Sequence, residues 1–331
     1  MKSMVLAIGG NSLIPAGEKG TILQQLANAR RVAAQVVRLI RDGYKIVLTH
    51  GNGPQVGAEL LLSERSVGVV PAHPLDVCDA STQGEMGYLL QQTLCSELKR
   101  AGLHVPVVTV VTQCLVSLDD PAMSHPTKPI GRFYTQQEAE ERKRLLGWTI
   151  VEDSQRGYRR VVPSPRPLEI LELDVIQHLV DFGALVIACG GGGIPVAWVN
   201  NNLVGVEAVI DKDFASALLA SKLGVDLFLI ATDTDYVFLD YKHPSQRALR
   251  RIDADQMQRH LKAGQFSPGN MGPKIEAALQ FLRSGGMETI ITSCDMLFAA
   301  VEGADGTHVV PDRGSALPAE AGELQPAVAR G

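Results

Sequence analysis

Ala184-Leu-Val-Ile-Ala188, then Cys189, then four consecutive glycines, Gly190-Gly-Gly-Gly193, closed by Ile194-Pro195: this stretch decides the fold. A short apolar run that ends in a glycine turn is how a buried parallel strand presents backbone N–H groups to an anion. A polar loop follows, then Val209-Ile-Asp-Lys-Asp213, then a helix-like segment over residues 214–223. Carboxylates suit a helix N-terminus and a lysine does not. Lys212 therefore reads as a group aimed at something negative. Taken alone, the stretch also admits a plain tight turn beside a solvated lysine.

The same unit recurs on either side. Met4 to Ile8 is a continuous apolar run that ends at Gly9-Gly-Asn-Ser12, and Leu26, Ala29, Ala33, Val36, Val37 and Ile40 then recur at helical spacing. A second strand at residues 45–49 runs into His50-Gly-Asn-Gly-Pro54 and a helix near residues 56–62. Residues 82–100 read as a helix, 105–111 as a central strand, and 168–182 as another helix. After the opening stretch come a strand at 227–232, a loop at 233–241, and a helix at 253–262. A glycine loop at 264–274, a helix at 275–283 and a strand at 289–292 follow, with a last short helix and strand ending near Val310. Alternating strands and helices predict an open, mostly parallel α/β sheet.

Residues 117–166 break this rhythm, with proline and charge in place of periodicity. About 50 residues is too long for an ordinary connection, so the segment reads as a protruding lid with its own strands near Ile150-Val151 and Val161-Val162. Residues 313–331 are Ala, Gly, Pro and Glu without period and read as a mobile tail. The division expected is one domain over 1–312, with an acceptor-binding lobe at about 1–200, the lid, and a nucleotide-binding lobe at about 201–312.

Composition narrows the function. The 331 residues are 45% hydrophobic and 20% charged, with a net charge of −5. That is an ordinary globular balance, with no global basic surface for nucleic acid or an anionic membrane. Five scattered cysteines without a C-x-x-C pair argue for a reducing compartment and against structural zinc. Cys95, Cys114 and Cys189 lie in apolar stretches and read as small core residues. The N-terminal apolar run is too short for a signal peptide, and no run reaches the roughly 18–20 residues that span a bilayer. A cytoplasmic protein is expected.

Ligands of such sheets bind at the carboxyl ends of the strands, where four glycine loops fall: Gly9-Gly-Asn11, Gly51-Asn-Gly53, Gly190-Gly-Gly-Gly193 and Gly269-Asn-Met-Gly-Pro-Lys274. No G-x-x-x-x-G-K-[ST], dinucleotide fingerprint, H-E-x-x-H or G-x-S-x-G is present. What recurs is a glycine loop with an isolated lysine: Lys128 in Pro-Thr-Lys-Pro, Lys212 in Asp-Lys-Asp, Lys274 in Met-Gly-Pro-Lys. Phosphoryl transfer asks chiefly for charge neutralisation on the moving group. At an effective dielectric near 20, a lysine about 4 Å from one phosphate charge contributes roughly 4 kcal/mol.

At these residues the chain resembles the carbamate kinases of the amino acid kinase superfamily, from Met4 to about Val310. The segments that carry the resemblance are Ala7-Ile-Gly-Gly-Asn11, Thr49-His-Gly-Asn-Gly-Pro-Gln-Val-Gly57, Ser81-Thr-Gln-Gly84 with Gly87-Tyr88, and Pro126-Thr-Lys-Pro-Ile-Gly131. They continue with Gly157-Tyr-Arg-Arg-Val-Val-Pro-Ser-Pro165, the Gly190 to Val196 stretch, Val206-Glu-Ala-Val-Ile-Asp-Lys-Asp213 and Gly269-Asn-Met-Gly-Pro-Lys-Ile-Glu276. Their order is the family's order.

The resemblance implies a three-layer α/β/α sandwich with a mostly parallel central sheet and a protruding subdomain, commonly as a homodimer. It implies reversible phosphoryl transfer between Mg·ATP and carbamate, run toward ATP synthesis from ADP and carbamoyl phosphate. By motif, Gly10, Asn11, Gly51, Asn52 and Gly53 would hold carbamate or the moving phosphoryl group, and Lys128 would reach in from the lid. Lys212 and Lys274 would bind nucleotide phosphates, with Asp213 orienting the lysines. Gly191, Gly192, Thr232, Asp233, Tyr236, Phe266, Gly269 and Met271 complete the implied nucleotide site. Magnesium would arrive mainly on the nucleotide phosphates, without a direct protein ligand.

Carbamate is already an anion, so its attacking oxygen needs no general base. His50 then reads as a loop-packing residue in preference to a base, and Asp211 as a helix cap in preference to a contact with hydrated magnesium. The chain departs from the family pattern at Arg132, at Ala231-Thr-Asp-Thr-Asp-Tyr-Val-Phe238 and at Ser12. Two other readings stand beside carbamate kinase: a kinase of another small carboxylate, and a nucleotide-binding paralogue without turnover.

Overall fold

A computed structural model of the chain describes residues 2–15, 17–152 and 157–312. Its central element is an eight-stranded sheet in the order Arg251–Asp253, Thr307–Val310, Glu288–Ser293, Leu227–Thr232, Ser3–Ile8, Lys45–His50, Leu185–Ile187, Val107–Thr109. All neighbours pair in parallel except Glu288–Ser293 with Thr307–Val310.

The first strand shows why these runs are apolar throughout. Met4, Leu6 and Ile8 face one core, against Ala29, Val32 and Val36 of the helix Ile22–Arg41 and Met86 and Leu90 of Leu75–Arg100. Val5 and Ala7 face the other core, with Phe214, Ala217, Ile275 and Ala278 of the helices Lys212–Leu223 and Met271–Arg283. Side chains alternate across a strand, so one covered on both faces must be apolar at every position. The result is the three-layer sandwich expected from the sequence.

Strand order reverses at Ser3–Ile8, which has the next strand of the chain on one side and Leu227–Thr232 on the other. A crevice at the carboxyl ends is set by that reversal. The loops after Ile8, His50 and Thr232 all open into it.

The lid carries the three-stranded antiparallel sheet Lys128–Tyr134, Tyr158–Val162, Ile150–Glu152 and the helix Gln136–Leu146. The two strands expected there are present. The strand containing Pro129 is not legible by periodicity because Pro129 and Gly131 interrupt the run, and the helix is not because it is polar nearly all round, with Ala139 its one buried residue. Pro129 is tolerated because its strand is an edge of that sheet.

Several boundaries differ from expectation. The run 105–111 is not a central strand: only Val107–Thr109 pairs, and it closes one edge of the sheet. Its apolar character comes from the helix Leu75–Arg100 lying over it, so closely that a Cβ at Gly87 would stand 2.3 Å from Thr109 Cγ2. The helix expected from 168 begins at Leu173, since Glu169–Ile170 pairs with Gln113–Leu115 as a strand. Lys274 lies inside the helix Met271–Arg283 rather than in the loop before it. Cys114 and Cys189 are buried as expected, but Cys95 is exposed, on the outer side of its helix from Leu94 and Leu98. The tail expected over 313–331 lies outside the described residues.

Phe228, wholly buried between the central sheet and the helix Met271–Arg283, meets Phe281 edge-on at 5.7 Å between ring centroids. Phe228→Ala should cost about 3–5 kcal/mol of stability, read as a lower denaturant midpoint with little change in slope.

Candidate active site

The crevice is a cavity of about 670 Å³ to which each of the four glycine loops contributes lining. Gly10 and Gly51 bring two strand-end loops into backbone contact: a Cβ at Gly51 would stand 2.9 Å from Gly10 N and 3.1 Å from Lys212 Cδ. Only glycine permits that approach. Gly191 sits at φ +69° with its absent Cβ 2.4 Å from Asn52 Nδ2, so glycine is required there on both counts. The buried Gln83 pins this turn, donating to Gly190 O at 2.8 Å and accepting from Thr112 N at 2.8 Å.

Asp211 caps the helix Lys212–Leu223, accepting from Asp213 N at 3.0 Å. The helix start is tied to the strand Lys45–His50 through Ser216, whose hydroxyl donates to Lys212 O at 2.6 Å and lies 2.6 Å from Thr49 Oγ1. Lys212 and Lys274 converge from two helices on the buried Asp213, at 2.5 Å to Oδ1 and 3.1 Å to Oδ2. Lys128 reaches in from the lid and donates to Asp211 Oδ2 at 2.7 Å. The three lysines singled out in the sequence thus meet in one cavity.

Electrostatics follow from this packing. Burial opposes ionisation of Asp213, but the two ammonium groups outweigh it and hold the carboxyl down at about 2. Burial lowers the Lys212 ammonium from its ordinary range, and Lys274 repels it further. Burial works against Lys274 as well, but Asp213 more than offsets it and the net shift is upward. His50, 1% exposed, is pushed down to about 4 by burial and is neutral at pH 7. It packs under Gly190, where a Cβ would stand 2.6 Å from its Nε2.

Of the residues expected to meet ligand, Gly10, Gly51, Asn52, Gly53, Gly191, Thr232, Asp233 and Gly269 line this cavity. Asn11 has its backbone in the short turn Gly10–Ser12, but its side chain lies outside the described residues. Gly192 is buried against Ile210 behind the lining. Phe266 and Met271 line an adjoining cavity of about 360 Å³ together with Phe238, Tyr241 and Asp233. Tyr236 is not brought to either cavity: its ring lies under Arg250, and its hydroxyl bonds Asp305. Phe238, whose ring meets that of Tyr236 edge-on at 6.4 Å between centroids, lines the adjoining cavity. Arg132 is held inside the lid, donating to Glu138 Oε1 at 2.7 Å, and does not touch the cavity. Ser12 accepts from the Cys294 thiol at 3.1 Å.

Sequence reasoning missed Arg31, Cys294 and Asp295 in the lining, and a buried carboxyl, Asp79, behind Asn52. Asp79 shares the inward stripe Leu75, Cys78, Thr82, Met86 of its helix. A carboxylate on a core-facing stripe was the available signal. Burial pushes this carboxyl up to about 7, opposed by the Asn52 hydrogen bond.

The comparisons with known proteins agree with this geometry. A family model described as the amino acid kinase family matches residues 2–293. The chain belongs to the amino acid kinase family. Among curated members, a protein named carbamate kinase from Thermococcus kodakarensis is 46% identical over 94% of this chain and 99% of its own length. Another, from Staphylococcus haemolyticus, is also 46% identical, over 93% of this chain and 99% of its own. Among solved structures, carbamate kinase from Giardia lamblia bound to AMP-PNP superposes with a TM-score of 0.89 at 43% identity, covering 94% of this chain and 99% of that one. The sandwich described above is therefore the amino acid kinase fold.

Asp79 sets a pH dependence of stability whose sign is fixed. An unfolded aspartate releases its proton near 3.8 and the folded one near 7, so the folded state binds more protons in between. Stability from Asp79 is present below that window and is lost as pH rises through it. His50, depressed to about 4, acts oppositely, its native state binding fewer protons between about 4 and 6.5. Asp79→Asn should remove the first effect alone. Chemical denaturation at pH 5 and pH 8 should show the variant gaining stability relative to the parent as pH rises; a constant difference would contradict the assignment.

Proposed function

We infer that the chain is a carbamate kinase, an ATP:carbamate phosphotransferase. Carbamoyl phosphate and ADP give ATP and carbamate, and the reverse reaction uses the same groups. The observation that carries this reading is the pair of lysines on one buried carboxylate, faced by Lys128 and walled by glycine loops, in a chain 46% identical to curated carbamate kinases.

In the direction of ATP synthesis, an oxygen of the ADP β-phosphate attacks phosphorus and the P–O bond to the carbamoyl group breaks. The carbamate leaves as an anion and takes no proton. In reverse, the carbamate oxygen attacks the γ-phosphorus of ATP, again without a base. The neutral, enclosed His50 is consistent with that economy. Lys212 and Lys274 bind nucleotide phosphate oxygens, and Asp213 keeps both ammonium groups turned toward the cavity. Two lysines on one carboxylate leave a surplus positive charge for the moving group. Lys128 approaches from the acceptor side. Gly10, Asn11, Gly51, Asn52 and Gly53 hold the carbamoyl end with few bulky side chains. Gly191, Thr232, Asp233 and Gly269 border the phosphates, and Phe238, Tyr241, Phe266 and Met271 enclose the nucleoside.

Magnesium, when bound, neutralises charge on the β- and γ-phosphates. The residues present suit an ion carried by the nucleotide, because Asp211 and Asp213 are already engaged by lysines. Among the described residues no group of three or more His, Cys, Asp or Glu is gathered to hold a metal directly. Free thiols at five cysteines favour a reducing, cytoplasmic setting. Among the described residues no helix is long and apolar enough to cross a membrane. A homodimer is favoured by exposed apolar groups on neighbouring elements: Trp198 and Val204 on one hairpin, and Val77 on the helix beside it.

Purified protein should form ATP rapidly from carbamoyl phosphate and Mg·ADP, and Lys212→Ala/Lys274→Ala should abolish it. ADP binding without turnover would move the reading to another acceptor or to a non-catalytic role. Lys128→Ala should lower kcat at least about a hundredfold with little change in ADP affinity. Near-normal turnover in that variant would remove the lid from the chemistry.

A further inference from the structure

Behind the acceptor end of the crevice lies a buried polar cluster that charge neutralisation does not explain. Asp79 and Thr82 face inward, three residues apart on the helix Leu75–Arg100, and both are 1% exposed. Asn52 Nδ2 donates to Asp79 Oδ1 and, at 2.8 Å, to Thr82 Oγ1. The Thr82 hydroxyl is already spent, donating to the Asp79 carbonyl oxygen at 2.7 Å, so toward Asn52 its oxygen only accepts. Thr82 thereby fixes which end of the amide points inward. Gly191 closes over the pair, leaving no room for a side chain between them.

Both hydrogens of Nδ2 are committed to the interior, and Asn52 lines the cavity. What its amide offers a ligand is the carbonyl oxygen, Oδ1. A carbonyl oxygen repels phosphate oxygens and pairs well with an amino group. Asp79 Oδ2 is enclosed without a partner, a costly arrangement that asks for a reason.

We propose that Asn52 Oδ1 accepts a hydrogen bond from the amino group of the carbamoyl substrate, and that Asp79 and Thr82 are positioning residues that hold the amide in that orientation. The inference rests on the carbamate kinase reading and deepens it. It makes the site selective for a carbamoyl group over an acetyl group, which has a methyl in place of the amine and nothing to donate. A site whose buried acceptor is left unpaired rejects an analogue far more strongly than one that merely loses contact area.

The test compares kcat/KM for carbamoyl phosphate and for acetyl phosphate as donors to Mg·ADP, using the full chain. The parent should strongly prefer carbamoyl phosphate. Thr82→Val and Asp79→Ala free the amide to turn, and each should lower the preference at least about tenfold while KM for ADP stays unchanged. Asp79→Asn keeps an acceptor at Oδ1 and should retain the preference within about threefold. Thr82→Val and Asp79→Asn are close in shape to the residues they replace, so the comparison survives if Asp79→Ala folds poorly. An unchanged preference in Thr82→Val, with both rates falling together, would overturn the positioning role. So would Asp79→Asn losing the preference as fully as Thr82→Val. A parent inactive with carbamoyl phosphate would instead overturn the carbamate kinase reading itself.

Discussion

Everything at the carboxyl edge of the sheet depends on one buried carboxylate shared by two lysines. Removing one partner from a buried ion pair costs about 3–5 kcal/mol, because a charge is left unpaired. Here the cluster is unbalanced by design of the sequence: Asp213 answers Lys212 and Lys274 together, and Asp211 answers Lys128. The three lysines carry one more positive charge than the two carboxylates that bind them neutralise. That excess is what a phosphoryl group bearing several negative charges needs, and it explains why Lys212 sits at a helix start where the dipole disfavours it.

The fold supplies the precision. Lys212 and Lys274 lie in the first turns of two helices that pack side by side under one face of the sheet. Both are fixed by the same core that buries Phe214, Ile275 and Phe281. The lid contributes the remaining lysine on a strand whose Gly131 packs against Gly57, with 3.2 Å from a Cβ at 57 to Gly131 Cα. A larger residue at Gly57 would lift the Lys128 strand away. The pairing of Arg160 with Glu207 at 2.8 Å, and of Glu207 with Leu75 N at 3.4 Å, ties the lid to the helix that also carries Asp79.

Sequence carried the sandwich, the lid, the glycine loops and the three lysines, because each leaves a local mark: an apolar run, a break in rhythm, or a lysine in an odd context. What it carried poorly are features decided by distant contacts. Residues 105–111 look central because a helix covers them, although their strand ends the sheet. Tyr236 and Phe238 are both aromatic and their rings touch, and only the distant partners Arg250 and Asp305, which hold Tyr236, decide that Phe238 rather than Tyr236 lines the cavity. Asp79 was missed because the helix expected over 82–100 begins instead at Leu75, and only that extra length puts residue 79 on the inward stripe.

The distribution of specificity follows from the same division. In the proposed reaction phosphates would be met by lysine side chains and backbone amides, which recognise charge and tolerate many donors and acceptors. For the nucleoside, the proposed reaction has the apolar and aromatic surface of the adjoining cavity, at Phe238, Tyr241, Phe266 and Met271. Neither device can tell one small acyl group from another of equal size and charge. That discrimination requires a neutral polar atom with a fixed orientation, and orientation in a low-dielectric interior is fixed by partners that have no alternative. Asn52 is held by two such partners, both on a helix that contributes none of the charged groups. On the proposed roles, acceptor recognition and charge neutralisation are anchored on opposite layers of the sandwich, so that one could change without disturbing the other.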